Sequence, residues 1–269
     1  MGIVLSFINI PIPSVGISLS FGWLPTILAG WFFGPIYGIF IGISIDTLNF
    51  LIHGGIWYWL YAIQEPLVGL ITGLLSSMSY FIKNRTNSIR ISFITFQIFF
   101  VLFYLFTNLA IIIIANTNFN LFLILANKGN IGDLQISTLL IVIFVFLGLF
   151  FILIEIIACI KYKKMKFYKH TKNNENVDFY YICIVSIVTT FLFSFLLGPV
   201  STIEYYKYIN NKLPNSYINY GLFYYLIPRI IKEMFKTPLY IFLLWGLVVS
   251  LNVSINRTKN KVLTSWEYS

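Results

Sequence analysis

The sequence predicts an all-α integral membrane protein that forms a single transmembrane domain over residues 1–269. Three observations predict it. Long uncharged runs recur along the chain, basic clusters fall between them, and the composition leaves almost nothing for a soluble core. Hydrophobic residues make up 58% of the chain and charged residues only 10%, which is more apolar surface than a soluble fold of this size buries. A helix needs roughly 20 apolar residues to cross a hydrocarbon layer about 30 Å thick, so the spans can be read off in order.

No charged residue occurs from Met1 to Ile45. Within that stretch Asn9-Ile10-Pro11-Ile12-Pro13 reads as a loop, because each proline removes a donor and pushes its predecessor out of α geometry. The residues ahead of Asn9 are too few to cross a membrane, which predicts a short or truncated first helix. A span then runs from about Leu19 to Phe33, reverses at Gly34-Pro35, and a second follows from Ile36 to about Ile52. Gly30, Gly34, Gly38 and Gly42 recur at intervals of four, and Gly69 and Gly73 repeat the spacing. Small residues so placed let backbones approach closely in lipid, either inside this bundle or as a face that docks a partner. Next come an aromatic loop, His53-Gly54-Gly55-Ile56-Trp57-Tyr58-Trp59, and a span starting near Glu65-Pro66, with proline in the first turn where its missing donor costs nothing. Further uncharged runs cover Pro66 to Ile82, Ile91 to Ala115, Phe179 to Ile203 and Thr237 to Asn256, and Ser137 to Ile160 is broken only by Glu155. The Tyr- and Asn-rich stretch Tyr205 to Tyr225 reads as a long connection of the kind that forms lids.

The net charge of +9 comes from clusters between spans, which excludes a nucleic-acid surface as its main reading. Lys83, Arg85 and Arg90 form one cluster, Lys161, Lys163, Lys164, Lys166, Lys169 and Lys172 a second, and Arg257, Lys259 and Lys261 a third. Two spans separate each from the next, so the positive-inside rule puts all three in the cytoplasm with the C-terminus. The protein is thus expected to be a multi-pass protein of the cell membrane. The opposite loops carry only Lys128, Lys207 and Lys212 as cations.

Enzyme signatures are missing. No Gly-Lys dipeptide supplies a Walker A loop, no His pair is spaced for a metal, and Cys159 and Cys183 lack redox or metal spacing. Neither a cofactor nor a metal is expected. Ionisable residues beside or within spans remain, and each is a candidate because a charge at mid-bilayer costs roughly 2.5–3.5 kcal/mol on insertion scales. Asp46 lies eleven residues past Pro35, about 16 Å along the helix, and serves either as a buried structural partner or as a substrate contact. Glu65 suits a helix N-terminus, and His53 is a loop candidate. The strongest constellation is Pro228-Arg229-Ile230-Ile231-Lys232-Glu233-Met234-Phe235-Lys236-Thr237-Pro238. Arg229, Lys232 and Lys236 share one helical face at the outer end of the last span. Snorkelling explains such cations; so does an anionic ligand, or pairing with Asp46 or Glu233.

The stretch Phe21-Gly22-Trp23-Leu24-Pro25-Thr26-Ile27-Leu28-Ala29-Gly30-Trp31-Phe32-Phe33-Gly34-Pro35-Ile36-Tyr37-Gly38, followed by Gly42, Asp46, the aromatic loop and Glu65-Pro66-Leu67-Val68-Gly69-Leu70-Ile71-Thr72-Gly73, resembles S components of energy-coupling-factor (ECF) transporters. Pro228-Arg229-Ile230-Ile231-Lys232 with Pro238 looks like the start of the last helix in folate-type members. The resemblance implies a six-helix, substrate-capturing bundle that imports a vitamin, folate first and riboflavin or another small vitamin as the alternative. It implies no ATP site, and partners in a membrane scaffold subunit and two ATPase subunits. It also assigns Arg229 and Lys232 to the family's basic positions, and places Asp46, His53, Trp57 and Trp59 where pocket or gate residues fall. Gly30, Gly34, Gly38 and Gly42 become the candidate partner-docking face. Against a six-helix bundle the middle is about two spans too long. The expected layout is therefore glycine-rich helices over 1–82, basic loops flanking an inserted helical hairpin over about 83–172, the last two helices over 179–256, and a tail over 257–269. From a different class, a membrane-embedded lipid-modifying enzyme is the competing reading, and it requires polar catalytic groups converging at one depth.

Overall fold

The computed structural model describes residues 9–12, 17–20, 22–54, 56–83, 87–117, 145, 148–149, 151–163 and 175–267. Its transmembrane body is all-helical, as the runs of apolar residues require. Among the described residues, five helices are long and apolar enough to cross a membrane, over 35–52, 59–83, 88–109, 177–210 and 236–253.

A short antiparallel hairpin precedes them, with β1 (Asn9–Ile12) paired to β2 (Ile17–Ser20) in the register Asn9↔Ser20 to Ile12↔Ile17. This corrects the loop expected from Asn9 as far as Ile12; Pro13 falls outside the described residues. In a two-stranded ribbon both strands are edges, so Pro11 can lack its N–H without breaking a central ladder. The ribbon uses residues through Ser20, and the first helix consequently begins later than Leu19. Helix α1 (Leu24–Phe33) carries proline in its first turn and has 10 residues, about 15 Å, half the depth of the hydrocarbon.

Gly34, with φ of 88°, makes the reversal into α2 (Pro35–His53). After the one-turn α3 (Trp59–Ala62), α4 (Gln64–Lys83) runs back with Glu65 and Pro66 in its first turn. The glycines bring α1 and α2 onto α4 at backbone contact. A Cβ on Gly38 would stand 2.5 Å from the Gly69 carbonyl oxygen, one on Gly30 would meet that same oxygen at 2.5 Å, and one on Gly42 would lie 2.7 Å from the Glu65 carbonyl. Gly30, Gly38 and Gly42 therefore face α4, inside the bundle. Gly34 serves the turn, and a side chain there would meet open space.

Helix α5 (Ser88–Thr117) packs along a helix over 151–163, here α6. Phe93 stacks on Tyr162 with centroids 4.5 Å apart, Phe100 meets Phe151 at 4.7 Å, and the Gln97 amide donates to Glu155 at 2.6 Å. An acid within an apolar run is thus held by a neighbouring helix. The basic cluster after Lys163 falls outside the described residues.

The central element is α7 (Glu175–Thr189), continued by a π-helical segment (Thr190–Leu197) and by α8 (Gly198–Asn210). Tyr180, Tyr181, Phe179, Phe193 and Phe195 are all buried here. Pro199 gives the physical reason for the wide turn. Its ring would clash with the carbonyl four residues back and it offers no N–H, so the preceding backbone widens instead of bonding in α register. The Tyr205 to Tyr225 stretch, expected as a connection, is helical to Asn210 and again in α9 (Asn215–Tyr220) before α10 (Phe223–Glu267). One end of the bundle is tied by the Lys83–Asp178 ion pair at 2.5 Å and by the Lys161 ammonium, 3.8 Å from the Phe179 ring and 3.9 Å from that of Trp245.

Candidate functional site

At the other end of the bundle, the segment between α2 and α4 meets the end of α8 and the start of α10. Tyr58 packs on Tyr205 and Tyr208, with centroids 5.7 and 5.4 Å apart, and Tyr61 packs on Tyr205 at 5.4 Å. Tyr205 and Tyr208 lie three residues apart on α8 and so share a face. Beside this cluster opens a cleft of about 530 Å³ lined by Trp57, Tyr58, Trp59, Glu204, Lys207, Tyr208 and Asn211. Its walls are aromatic, with one acid, one base and one amide to orient a guest, which is the usual make-up of a small-molecule site.

Behind the tyrosines lies Arg229. Its Nη2 donates to Thr202 Oγ1 at 2.7 Å, and the Tyr61 hydroxyl donates to the same oxygen at 3.2 Å. Gln64 Nε2 donates to Ser201 Oγ at 3.4 Å, a second tie between α4 and α8. Arg229 and Lys232 are both partly buried. Lys232 stands one turn ahead of the span over 236–253, where burial first, then the charge of Lys236, lowers its ammonium below the ordinary lysine range.

One further turn along α10 the polar groups are fully enclosed. Lys236 is 5% exposed and Glu233 3%, with 3.7 Å between ammonium and carboxylate. Ser194 Oγ, on the π segment, donates to Glu233 at 2.8 Å. The Lys236 ammonium also lies 4.5 Å from the Trp23 ring centroid and 5.3 Å from that of Tyr240. Nearby, buried Glu65 accepts from Thr26 Oγ1 at 2.7 Å. Both carboxylates therefore keep a hydroxyl donor, and the cation keeps a counter-charge and aromatic faces, as burial of charge demands.

The expected residues do not form one cluster. Trp57 and Trp59 lie together on the cleft, and His53 ends α2 near them. Arg229 is not among the described residues that line the cleft and is joined to the tyrosine cluster through Thr202 and Tyr61, and Lys232 lies one turn along α10 from it. Asp46 is partly exposed on α2, within electrostatic reach of Glu65. Sequence reading missed Tyr61 and Glu204 as site-formers, and Gly198 and Thr202 beside Arg229; Tyr58 lies in the aromatic loop it placed at the pocket, and Tyr208 in the stretch it read as a lid. The Tyr-rich composition after Glu204 signalled aromatics there, but pairing across 141 residues, as for Tyr61 and Thr202, leaves no local pattern.

A model of the ECF transporter substrate-specific component matches residues 1–160, more than half of the chain. The chain belongs to this family. This S component is similar along nearly its whole length to a Mycoplasma pneumoniae protein described as "Uncharacterized protein MG313 homolog", at 29% identity over 92% of this chain and 85% of the relative. Its counterpart in Mycoplasma genitalium, "Uncharacterized protein MG313", is 27% identical over 98% of this chain and 90% of the relative. A "UPF0397 protein" from Leuconostoc citreum matches at 34% over 73 residues, 26% of this chain and 38% of the relative. No solved structure matches. As a member of this family the S component is a membrane-embedded transport protein, not an enzyme, and its family works with scaffold and ATPase subunits. The lipid-modifying alternative finds no support there, and among the described residues no group of three or more His, Cys, Asp or Glu gathers to hold a metal.

Proposed function

We propose that this S component captures a vitamin that carries a negative charge, folate before others, from the extracytoplasmic side of the cell membrane, with its C-terminus in the cytoplasm. The observation that carries the reading is the pair of partly buried cations, Arg229 and Lys232, on a helix tied through Thr202 and Tyr61 to the tyrosines beside an aromatic-walled cleft. A flat heteroaromatic ring suits the Trp57, Tyr58, Trp59 and Tyr208 walls, and carboxylates suit cations one turn apart. Asp46 and His53 are proposed with them as further substrate contacts contributed by α2. Gly30, Gly38 and Gly42 then act on the scaffold indirectly, by fixing the outer face of the α1–α2 hairpin, and the α5–α6 pair is the inserted hairpin. A neutral vitamin such as riboflavin is the second reading, favoured by the aromatic lining alone.

Thermal unfolding of the detergent-solubilised full chain separates the two. A ligand that prefers the folded state raises apparent stability, by about 2.7 kcal/mol at a hundredfold excess over Kd. Folic acid is expected to raise the unfolding temperature of the wild type and to have no effect on Arg229→Gln/Lys232→Gln. Stabilisation by riboflavin and none by folic acid, or unchanged folate binding in the double variant, overturns the anionic reading.

A further inference from the structure

Buried Lys236 and partly buried Arg229, both on α10, are treated differently by their surroundings. Lys236 is answered by the Glu233 carboxylate, so its charge is cancelled inside the protein. Arg229 is held instead by a neutral seat on α8. Gly198 and Thr202 lie one turn apart on the face turned to α10. The guanidinium takes up the space that a Gly198 side chain would fill: a Cβ there would overlap Arg229 Nη1. Thr202 Oγ1 donates its proton to the Gly198 carbonyl at 2.9 Å, which turns both lone pairs toward Arg229 Nη2 and the Tyr61 hydroxyl. A hydroxyl offers one donor and two acceptor positions, and all three are used.

The geometry points to Gly198 and Thr202 as positioning residues that hold the Arg229 guanidinium for the anionic end of the substrate, an inference that rests on the capture function proposed above. A neutral seat fixes the planar fork, which has no ion pair of its own among the described residues, and the carboxylate whose charge reaches it, Glu233, is the one that pairs with Lys236. Thr202 takes one of the five N–H donors, and the remaining ones suit bidentate pairing with a carboxylate. Holding a long side chain in place before binding removes an ordering cost of about 0.5–1.5 kcal/mol from association. The seat also links the anion site to the aromatic cleft, because Tyr61 shares the Thr202 oxygen and packs on Tyr205.

The experiment has a ligand-free arm and a ligand arm, both on the full chain in detergent. In the first, side-chain N–H exchange of Arg229 is followed by NMR on ¹⁵N-arginine-labelled protein, with exposed Arg90 as the internal reference and Arg229→Lys to assign the signal. Exchange at Arg229 slower than at Arg90 is expected in the wild type and in Thr202→Ser, and loss of that protection in Thr202→Val and Gly198→Ala. Gly198→Ala meets the movable end of Arg229 and also the Phe193 carbonyl oxygen at 2.9 Å, so thermal unfolding checks its fold and Thr202→Val, which adds no such contact, carries the test if the Gly198 variant unfolds. Wild-type exchange at Arg229 as fast as at Arg90 overturns the seat. In the second arm, folic acid affinity is expected to fall roughly two- to twelvefold in Thr202→Val and Gly198→Ala, to recover in Thr202→Ser, and to show no further loss when Gly198→Ala is added to Arg229→Gln. Unchanged affinity despite lost protection, or an additive loss in the Arg229→Gln background, overturns the positioning role. Protected Arg229 in a wild type that does not bind folic acid supports the seat and overturns the folate reading.

Discussion

A lysine 5% exposed among apolar helices needs its charge answered from within the protein, and Lys236 has Glu233, Trp23 and Tyr240 around it. Removing one member of a buried pair leaves an uncompensated charge, whereas replacing both is often nearly neutral. Glu233→Gln is therefore expected to cost roughly 3 kcal/mol of unfolding free energy, and Glu233→Gln/Lys236→Met to recover most of it, as followed by denaturant unfolding in detergent. The sequence showed Arg229, Lys232 and Lys236 on one face and named Glu233 as one possible partner. It did not divide their roles, because that depends on which helix lies opposite each turn. Lys232 supplies a pH test. A lysine whose ammonium is lowered by burial and by Lys236 is charged below its shifted pKa and neutral above it. Affinity for an anionic vitamin is then held at low pH and falls as pH rises through that value. Lys232→Arg is expected to remove the fall, since arginine stays protonated; Kd of folic acid measured between about pH 7 and 10 is the check.

At the scale of elements, the close packing of α1 and α2 on α4 decides which glycines matter. A Cβ at Gly69 would overlap the Gly38 carbonyl, a backbone group with no rotamer to move, whereas one at Gly246 meets nothing. Gly69→Ala is thus expected to lower stability by several kcal/mol through forced separation of two helices. Gly246→Ala, in the interior of α10, is expected to be neutral or to stabilise by up to about 1 kcal/mol through helix propensity. Unfolding midpoints of the two variants give the comparison. The four-residue recurrence of glycine was plain in the sequence, but spacing alone says only that a backbone approaches, not whose. Gly34 kept the period while serving a turn, visible only from its positive φ. The hairpin at β1 and β2 and the π segment also escaped sequence reading. The first depends on a pairing that prolines argue against, and the second on strain that Pro199 imposes on residues before it.

For the whole molecule, spans were legible because lipid demands long uncharged runs, and little else in the chain competes with that signal. The proposed orientation rests on where basic residues gather, and side-chain contacts distinguish the two ends. Lys83 pairs with Asp178 and Lys161 lies between Phe179 and Trp245 at one end, while Trp57, Trp59 and the tyrosines of α8 rim the other. The orientation proposed above puts the Lys83 and Lys161 end in the cytoplasm and the aromatic cleft outside, as the positive-inside rule favours for the basic clusters of the sequence. Single cysteines at Asn87 and Asn215, both exposed, report on the two ends once Cys159, the more exposed of the two native thiols, is changed to serine. A membrane-impermeant maleimide added to intact cells is expected to label Asn215→Cys at once and Asn87→Cys only after permeabilisation. The reverse pattern would put Arg229 and the cleft on the cytoplasmic side, where capture of an incoming vitamin has no physical basis, and would require the anion site to act in release.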